Sequence, residues 1–559
     1  MRKVIINSSL IISLSFFLTL TKVCAQSVPV TSIFDDYYRQ MQLLGKVDSN
    51  FSFCVRPALS KDVLKVNDVF DPYSTLRKNR ENTGADGRGV FLLLPLTWQQ
   101  QVNSNQPYGW NDGAMIPARG YQTIISGGVY LKYGFLDIQL RPEYVYAVNP
   151  AFNGYASGHG SQDLINYYDF YRLIDLPERF GNGPYSKAFW GQSSIRATFG
   201  AVSLGLSTEN LWWGPGITNS LLMSSNAPGF KHVTFNTIKP VNTVIGGFEW
   251  QVFAGRLDQS NYPLLQTGST SVDSARRKGW RYLTGFNINY HPRFIPGLTI
   301  GLNRTFNAYK EDVKSIADYI PFLLSYQKKN ENNGAGDAIP RDQLTSAYVR
   351  WYFAKAEAEL YFEYGREDNS YNLNDFWGDP DHSRAYTVGF RKMLDLNSHR
   401  DQHILLSSEI TQLALTTDDR LVRYDGSWYV HSTVKQGYTN LGQVLGAGIG
   451  PGGNLQSADI SWICGLKKIG VSFQRYEHDT DFINYYYSPI NGNSRNWVDL
   501  AFGVQGTWDF RNFLFNIKLQ QIKSLNYEWV LKDYIPDQYY IPHNTVYNFH
   551  GELGITYRF

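Results

Sequence analysis

Phe549-His550-Gly551-Glu552-Leu553-Gly554-Ile555-Thr556-Tyr557-Arg558-Phe559 closes the chain, and its period decides the fold. Phe549, Gly551, Leu553, Ile555, Tyr557 and Phe559 occupy one set of alternate positions, and His550, Glu552, Gly554, Thr556 and Arg558 the other. Successive side chains of a strand point to opposite faces, so this segment reads as a strand with one apolar, aromatic face and one polar face. In a soluble sandwich such an apolar face meets another across a core; in an outer-membrane barrel it meets lipid while polar residues line the lumen. A strand that ends on Phe559, with an aromatic at Tyr557, favours the barrel, because the last residues of a soluble domain usually fray.

The same period recurs upstream. Val498, Leu500, Phe502, Val504 and Trp508 alternate with Asp499, Gln505, Thr507 and Asp509. Phe513, Phe515, Ile517 and Leu519 alternate with Asn516, Lys518 and Gln520, and Ala356, Ala358, Leu360, Phe362 and Tyr364 with Glu357, Glu359, Tyr361 and Glu363. From residue 89 to the end no composition break marks a second domain. At about 25 residues per strand with its share of loop, this length predicts an all-β, transmembrane barrel of about 18 antiparallel strands. Polar connections at 103–120, 149–191, 259–278, 326–341, 365–383, 446–456 and 533–548 read as outer loops, and Gly134-Phe135 and Phe510-Arg511 as short inner turns.

Composition agrees. Among 559 residues aromatics reach 15%, with 39 Tyr, 33 Phe and 14 Trp, a profile of strands and membrane interfaces. Mean hydropathy is −0.33, and no stretch after Ala25 resembles a helical membrane span. The net charge of +3 argues against nucleic acid as a partner.

The N-terminus reads as a secretory signal over 1–25: basic Arg2 and Lys3, an apolar stretch, and a small-residue end at Ala25. Lys22 and Val23 fit poorly with acylation of Cys24. Cleavage removes Arg2, Lys3 and Lys22, so the 52 basic residues fall to 49, equal to the 49 acidic ones. It also leaves only Cys54 and Cys464, expected to be unbonded, with Ile460, Trp462, Cys464 and Leu466 on the lipid-facing side. Residues 26–88 form a small N-terminal region, periplasmic or plugging the barrel. Within it Ile33, Phe34, Tyr37, Tyr38, Met41 and Leu44 have helical spacing, with Asp35 and Asp36 first and Gly45 after. A second helix is expected around 61–70.

Few constellations carry chemistry. Glu357, Glu359 and Glu363 share a strand face, spaced as an inverting glycosidase pair could be, but with Arg350 on the preceding strand they read as a lumenal ion-pair network. Glu477-His478-Asp479-Thr480-Asp481 lacks zinc or calcium spacing and reads as a solvated loop end. No nucleophile elbow, P-loop or dinucleotide fingerprint occurs, so no enzyme activity, cofactor or metal is expected.

Glu209-Asn-Leu-Trp-Trp-Gly-Pro-Gly-Ile-Thr-Asn-Ser-Leu-Leu-Met-Ser-Ser-Asn-Ala-Pro-Gly229 resembles the signature of capsule assembly proteins of the Wzi family. The resemblance extends to the run from Trp110 to Gly120, Gly127-Gly-Val-Tyr130, Gln139-Leu-Arg-Pro-Glu143, Tyr37-Tyr-Arg39 and Leu43-Leu-Gly45, which look like the Bacteroidetes branch. It implies an outer-membrane lectin that holds capsular or exopolysaccharide at the cell surface. It also implies outer-membrane lipids and, through Phe559, the barrel assembly machinery as partners; a monomer is expected. Sugars lay apolar faces on aromatic rings and hydrogen-bond to amides and carboxylates. Candidate polysaccharide contacts are therefore Trp212, Trp213, Asn219, Asn226 and Trp110, although the Trp pair with Gly214-Pro215-Gly216 also fits a turn or a lumenal constriction. The alternative function is an outer-membrane diffusion or export channel.

Overall fold

The computed structural model describes residues 27–48, 50–59, 89–266, 277–323, 339–367, 373–397, 400–416, 426–487, 496–530 and 545–559. The expected signal at 1–25 and helix around 61–70 lie outside them, as does most of the expected loop 533–548.

Eighteen antiparallel strands close into one barrel. In chain order they are β1 (Gly89–Asn103), β2 (Gly120–Tyr133), β3 (Leu136–Leu140 and Glu143–Ala147), β4 (Tyr185–Phe189 and Ser194–Phe199), β5 (Val202–Ser207) and β6 (His232–Thr237 and Val241–Asn242). There follow β7 (Gly246–Leu257), β8 (Arg281–Pro292), β9 (Leu298–Tyr309), β10 (Asp342–Phe353), β11 (Ala358–Glu367) and β12 (Arg384–Asn397). The last six are β13 (Gln402–Gln412), β14 (Asn454–Cys464), β15 (Lys467–Glu477), β16 (Val498–Phe510), β17 (Phe513–Leu525) and β18 (Val546–Tyr557). The terminal strand closes the barrel on β1, pairing Tyr557 with Leu96 and His550 with Asn103. Closure removes every sheet edge, the condition for a sheet to cross a bilayer.

Alternation sorts the side chains as the sequence predicts. On β11, Leu360 and Phe362 face outward while Glu359 and Glu363 have no exposed surface. On β18, Phe549 and Leu553 are outward and His550 is buried. At the short-turn end Tyr133, Phe135, Phe199, Trp351, Phe510 and Phe513 are exposed outward, forming the aromatic girdle of a membrane interface.

Three readings change. Tyr185–Phe189, expected within a loop, pairs with Glu143–Ala147 as barrel wall. Glu357 leaves the carboxylate row, since it sits at φ 48 in the turn between β10 and β11. Leu466 is buried rather than lipid-facing: β14 ends at Cys464, and the turn carries Leu466 inward against Tyr37 and Leu514. Cys54 is buried in the N-terminal segment and Cys464 stands partly exposed on β14; both are free.

Residues 27–48 and 50–59 lie inside the barrel. Helix α1 (Ile33–Leu43) starts at Ser32, whose Oγ accepts from Asp35 N at 3.3 Å. It ends where Gly45 N donates to Gln42 O and Lys46 N to Met41 O, both at 2.9 Å. Its apolar face packs Leu43 on Tyr352, Met393, Leu405 and Ile463 of the wall. Most of the polar face is buried too, with Asp36 partly exposed, and each charge finds a partner there: Asp35 meets Arg56 at 2.8 Å, Asp36 meets Arg391 at 2.7 Å and Arg39 meets Glu359 at 2.9 Å. Lys46 reaches Asp401 in the turn before β13, so α1 points toward the short-turn end. No described helix is long and apolar enough to cross a membrane.

Candidate functional site

Two regions of the interior concern the expected contacts, a closed knot at mid-lumen and a cavity above it on the long-loop side.

The knot is the connection from β5 to β6, which dips inward. Trp212 and Trp213 pair as a two-residue strand with Arg56 and Val55 of the N-terminal segment. Both indoles are 0% exposed. The Arg56 guanidinium lies 4.7 Å from the Trp212 ring, and Trp213 donates Nε1–H to Gln251 at 2.7 Å while its ring meets Phe253. Neither ring offers an open face. The next three residues form a turn whose carbonyls are held from below: Arg39 donates to Pro215 O at 2.7 Å and Arg56 to Gly216 O at 3.2 Å. Gly214 sits at φ +106, and a Cβ on Gly216 would stand 1.8 Å from Asn219 O, so both positions require glycine. Glu409 of β13 then accepts the backbone N–H groups of Ile217, Thr218 and Asn219 at 2.6, 3.1 and 2.8 Å. Asn219 is fully buried in this arrangement.

Below the knot, Glu359 is the hub. It accepts from Arg39 and from Arg350 Nε at 2.7 Å, and Arg350 also donates to Ser52 O and Gln42 Oε1. Within the carboxylate row of β11, Glu359 thus forms an ion-pair network that ties α1 to the wall, while Glu363 instead accepts from Ser346 Oγ at 2.6 Å and Asn303 Nδ2 at 3.4 Å.

The cavity above, of about 220 Å³, has an aromatic wall, an α-helical wall and a polar floor. The aromatic wall begins at the outer end of β15. There the His478 ring stacks on Trp497 at 3.5 Å and 7°, with the Tyr476 ring 3.8 Å away and tilted by 38°. Asp499 fixes the stack by accepting from His478 Nε2 at 2.8 Å and Trp497 Nε1 at 2.9 Å. Trp529 stands edge-on to Trp497 at 5.2 Å. Glu528 and Trp529 are both held at positive φ, 55 and 54, a backbone cost of about 1–3 kcal/mol each that is typical of functional loops.

The helical wall is α2 (Ser161–Tyr171), on which α3 (Thr480–Tyr486) packs through Phe482 against Phe170 and Tyr171. Tyr167 and Tyr171 line the cavity, and Tyr171 donates to Asp479 at 2.7 Å. Asp479 also caps α3 by accepting from Phe482 N at 3.0 Å. The 477–481 run is therefore buried structure rather than a solvated loop end, because Asp479 caps a helix and Asp481 accepts from Leu415 N and Ser427 Oγ. Burial, reinforced by Asp481, pushes Asp479 up to about 8. Burial first, then Glu178 and Asp499, holds Glu528 well above the usual carboxylate range. Glu178, raised by burial, accepts from Tyr155 N at 2.7 Å and Gln266 N at 2.9 Å.

Of the expected contacts, Asn226 lines this cavity, donating to Val444 O at 3.0 Å. Trp110 lies just beneath, half-buried against Tyr108 and Tyr476, on the wall of a second, polar cavity of about 250 Å³ bordered by residues 29–33. Trp212, Trp213 and Asn219 stand apart in the knot. Tyr167, Tyr171, Tyr476, Trp497, Glu528 and Trp529 escaped sequence reading, and His478 was read only as part of a solvated loop end; only His478 and Trp497 stand immediately beyond a strand end. Among the described residues no group of His, Cys, Asp or Glu is arranged to hold a metal.

A cavity walled by rings and edged by amides and carboxyls, above a filled barrel, is the geometry of a binding site. The profile of the capsule assembly protein Wzi family matches residues 138–512. The chain belongs to that family. No curated protein sequence matches it. Among solved structures it is similar to Wzi of Escherichia coli, described as an outer membrane protein involved in group 1 capsule assembly and a carbohydrate-binding β-barrel. Identity is 13%, covering 96% of this chain and 100% of that one, with a TM-score of 0.59. OccAB2 of Acinetobacter baumannii is more distant, at 11% identity, 83% and 97% coverage and a TM-score of 0.39. OprD of Pseudomonas aeruginosa has 9% identity, 83% and 92% coverage and a TM-score of 0.35. The fold shared with E. coli Wzi and the family match make this chain an outer-membrane β-barrel.

Proposed function

We propose that the chain holds capsular or exopolysaccharide at the cell surface and assists its assembly there, by binding and without catalysis, through the cavity between α2, the Trp497 stack and residues 527–529. The observation that carries this reading is the wall of Tyr476 and the stacked His478 and Trp497, lining one cavity with Tyr167 on the long-loop side, the surface that short periplasmic turns leave outermost. Aromatic faces and fixed polar groups are what a pyranose ring needs. A diffusion channel needs an open lumen, whereas here α1, Arg39, Arg350 and the 208–231 connection tie opposite walls together across it. E. coli Wzi, which shares the fold, supports the same reading. Deleting the gene and imaging polysaccharide tests it: attached material should fall and released material rise. Unchanged attachment would overturn it.

The remaining partners belong to the same proposal. Outer-membrane lipids cover the apolar belt, and the barrel works as a monomer. The assembly machinery reads the last strand through Phe559. Deleting Phe559 should lower the abundance of heat-modifiable barrel, and unchanged abundance would contradict that role.

A further inference from the structure

The lipid-facing wall of the barrel is not uniform. Across β14–β18 it carries an apolar groove of about 670 Å³, bordered by Ile460, Val471, Phe473, Phe502, Leu519 and Phe549. Register fixes what stands above that groove. Phe473, Phe502, Gln521 and Phe549 form one cross-strand row, and the next outward row toward the long loops is Arg475, Leu500, Lys523 and Tyr547. Alternation turns both rows to the lipid side, because Gln474 and Ser524, between them, accept from Tyr108 and Gln106 in the lumen. Lys523 stands ten residues beyond Phe513 of the short-turn girdle on the same strand. At about 3.4 Å per residue and a tilt of about 40° that is a height of about 26 Å, matching an apolar band about 25 Å tall. Arg475 and Lys523 therefore stand at the outer headgroup level, two strand spacings or about 10 Å apart. Arg475 donates to Gln456 at 3.1 Å and lies 3.5 Å from Glu477, but its side chain stays 38% exposed against 14% for Glu477, so its guanidinium remains open to the bilayer surface.

We infer that this face holds a phosphorylated, multiply acylated glycolipid of the outer leaflet as a bound lipid, distinct from the bulk lipid of the belt. Phosphate oxygens accept from the guanidinium of Arg475 and the ammonium of Lys523, and such charge-assisted bonds are stronger than neutral ones. The acyl chains below fill the groove by shape, because inside a bilayer packing decides and burial of apolar surface gains nothing. From Ala458 on β14 to Phe549 on β18 the groove spans five strands, about 19 Å, broader than two acyl chains side by side. That breadth selects a lipid with more chains than a two-chain phospholipid, and the cations above it select one that carries phosphate.

The test uses the full-length protein in phosphatidylcholine nanodiscs doped with one of three lipids: diphosphoryl lipid A, the same lipid stripped of its phosphates, or phosphatidylglycerol. Native mass spectrometry reads the lipid that stays bound. Diphosphoryl lipid A should be held about tenfold more tightly than its dephosphorylated form, the gain of one charge-assisted hydrogen bond, and more tightly than phosphatidylglycerol. In the double variant Arg475→Gln, Lys523→Gln, with heat-modifiability confirming the barrel, the ratio of phosphorylated to dephosphorylated affinity should fall toward one. Lys523→Gln alone serves if the double variant fails to fold. Arg256→Gln, at a half-exposed cation of β7 paired with Asp258, should leave the ratio unchanged. A ratio unchanged in the folded double variant, an equal loss in Arg256→Gln, or phosphatidylglycerol held as tightly as diphosphoryl lipid A overturns the assignment.

Discussion

The knot around Trp212–Trp213 and the cavity beside Trp497–Trp529 are built from the same materials: paired indoles, a left-handed turn and buried carboxylates. They differ in what satisfies those groups. In the knot each charge has a protein partner: Arg56 covers Trp212, Glu409 takes three backbone N–H groups, and Glu359 holds Arg39 and Arg350. In the cavity the Glu178, Asp479 and Glu528 side chains line open space and the Trp497 ring is only half-buried, whereas both knot indoles are sealed. A ring covered by protein on its faces shapes a fold, and one that borders open space can take a ligand. The family signature thus lies in the part that shapes the barrel interior, and the groups free to bind lie elsewhere.

Mutations can break this contrast. The largest effect is expected at Gly216→Val, whose Cβ has backbone 1.8 Å away; no heat-modifiable barrel should accumulate, and normal abundance would show that the turn can move aside. Next comes Glu359→Ala, which strands Arg39 and Arg350 in the lumen. Uncompensated buried charge costs about 3–5 kcal/mol, so urea unfolding should shift strongly while polysaccharide attachment per folded molecule stays constant. Trp213→Ala, a large-to-small change in the same packing, should cost about 3–5 kcal/mol with the same constancy.

A subtler effect concerns pH. Asp479 is pushed up to about 8 in the folded state from 3.8, so its contribution to stability is fully present below pH 3.8 and is lost as pH rises through about 8. Protection factors in α3, which divide out the intrinsic base catalysis of exchange, should therefore fall between pH 4 and 9. Asp479→Asn keeps a neutral cap and should flatten that profile; an equally steep profile in the variant would assign the change to another group. The smallest effect on folding and the clearest on binding belongs to Trp497→Ala. Losing one stacking ring weakens glycan retention by up to about tenfold, with stability little changed. A variant that retains full attachment would remove Trp497 from the site.

The barrel was legible because period-2 alternation is imposed by lipid on one side and polar lumen on the other: Phe549, Leu553 and His550 face as the sequence orders them. Helix α1 was legible from its acidic start and Gly45 stop. What its pattern did not give is that a helix inside a lumen packs polar residues against the wall too, where Arg39 clamps Glu359 and Asp36 clamps Arg391. The Trp pair misdirects for a related reason. Sequence reports that an aromatic is present, not whether a partner such as Arg56, 156 positions away, has taken its face. The cavity was illegible because it assembles from α2, the outer end of β15, and residues 497 and 527–529, which only barrel closure brings together.

The central claim is that the glycan sits in the outer cavity and the Trp pair is structural. Hydrogen exchange of the full-length protein, with and without polysaccharide purified from the producing cells, tests it most directly. Protection should rise across 163–179, 476–487 and 526–530 and stay unchanged across 211–219. Protection confined to 211–219, with the outer segments unaffected, would contradict it.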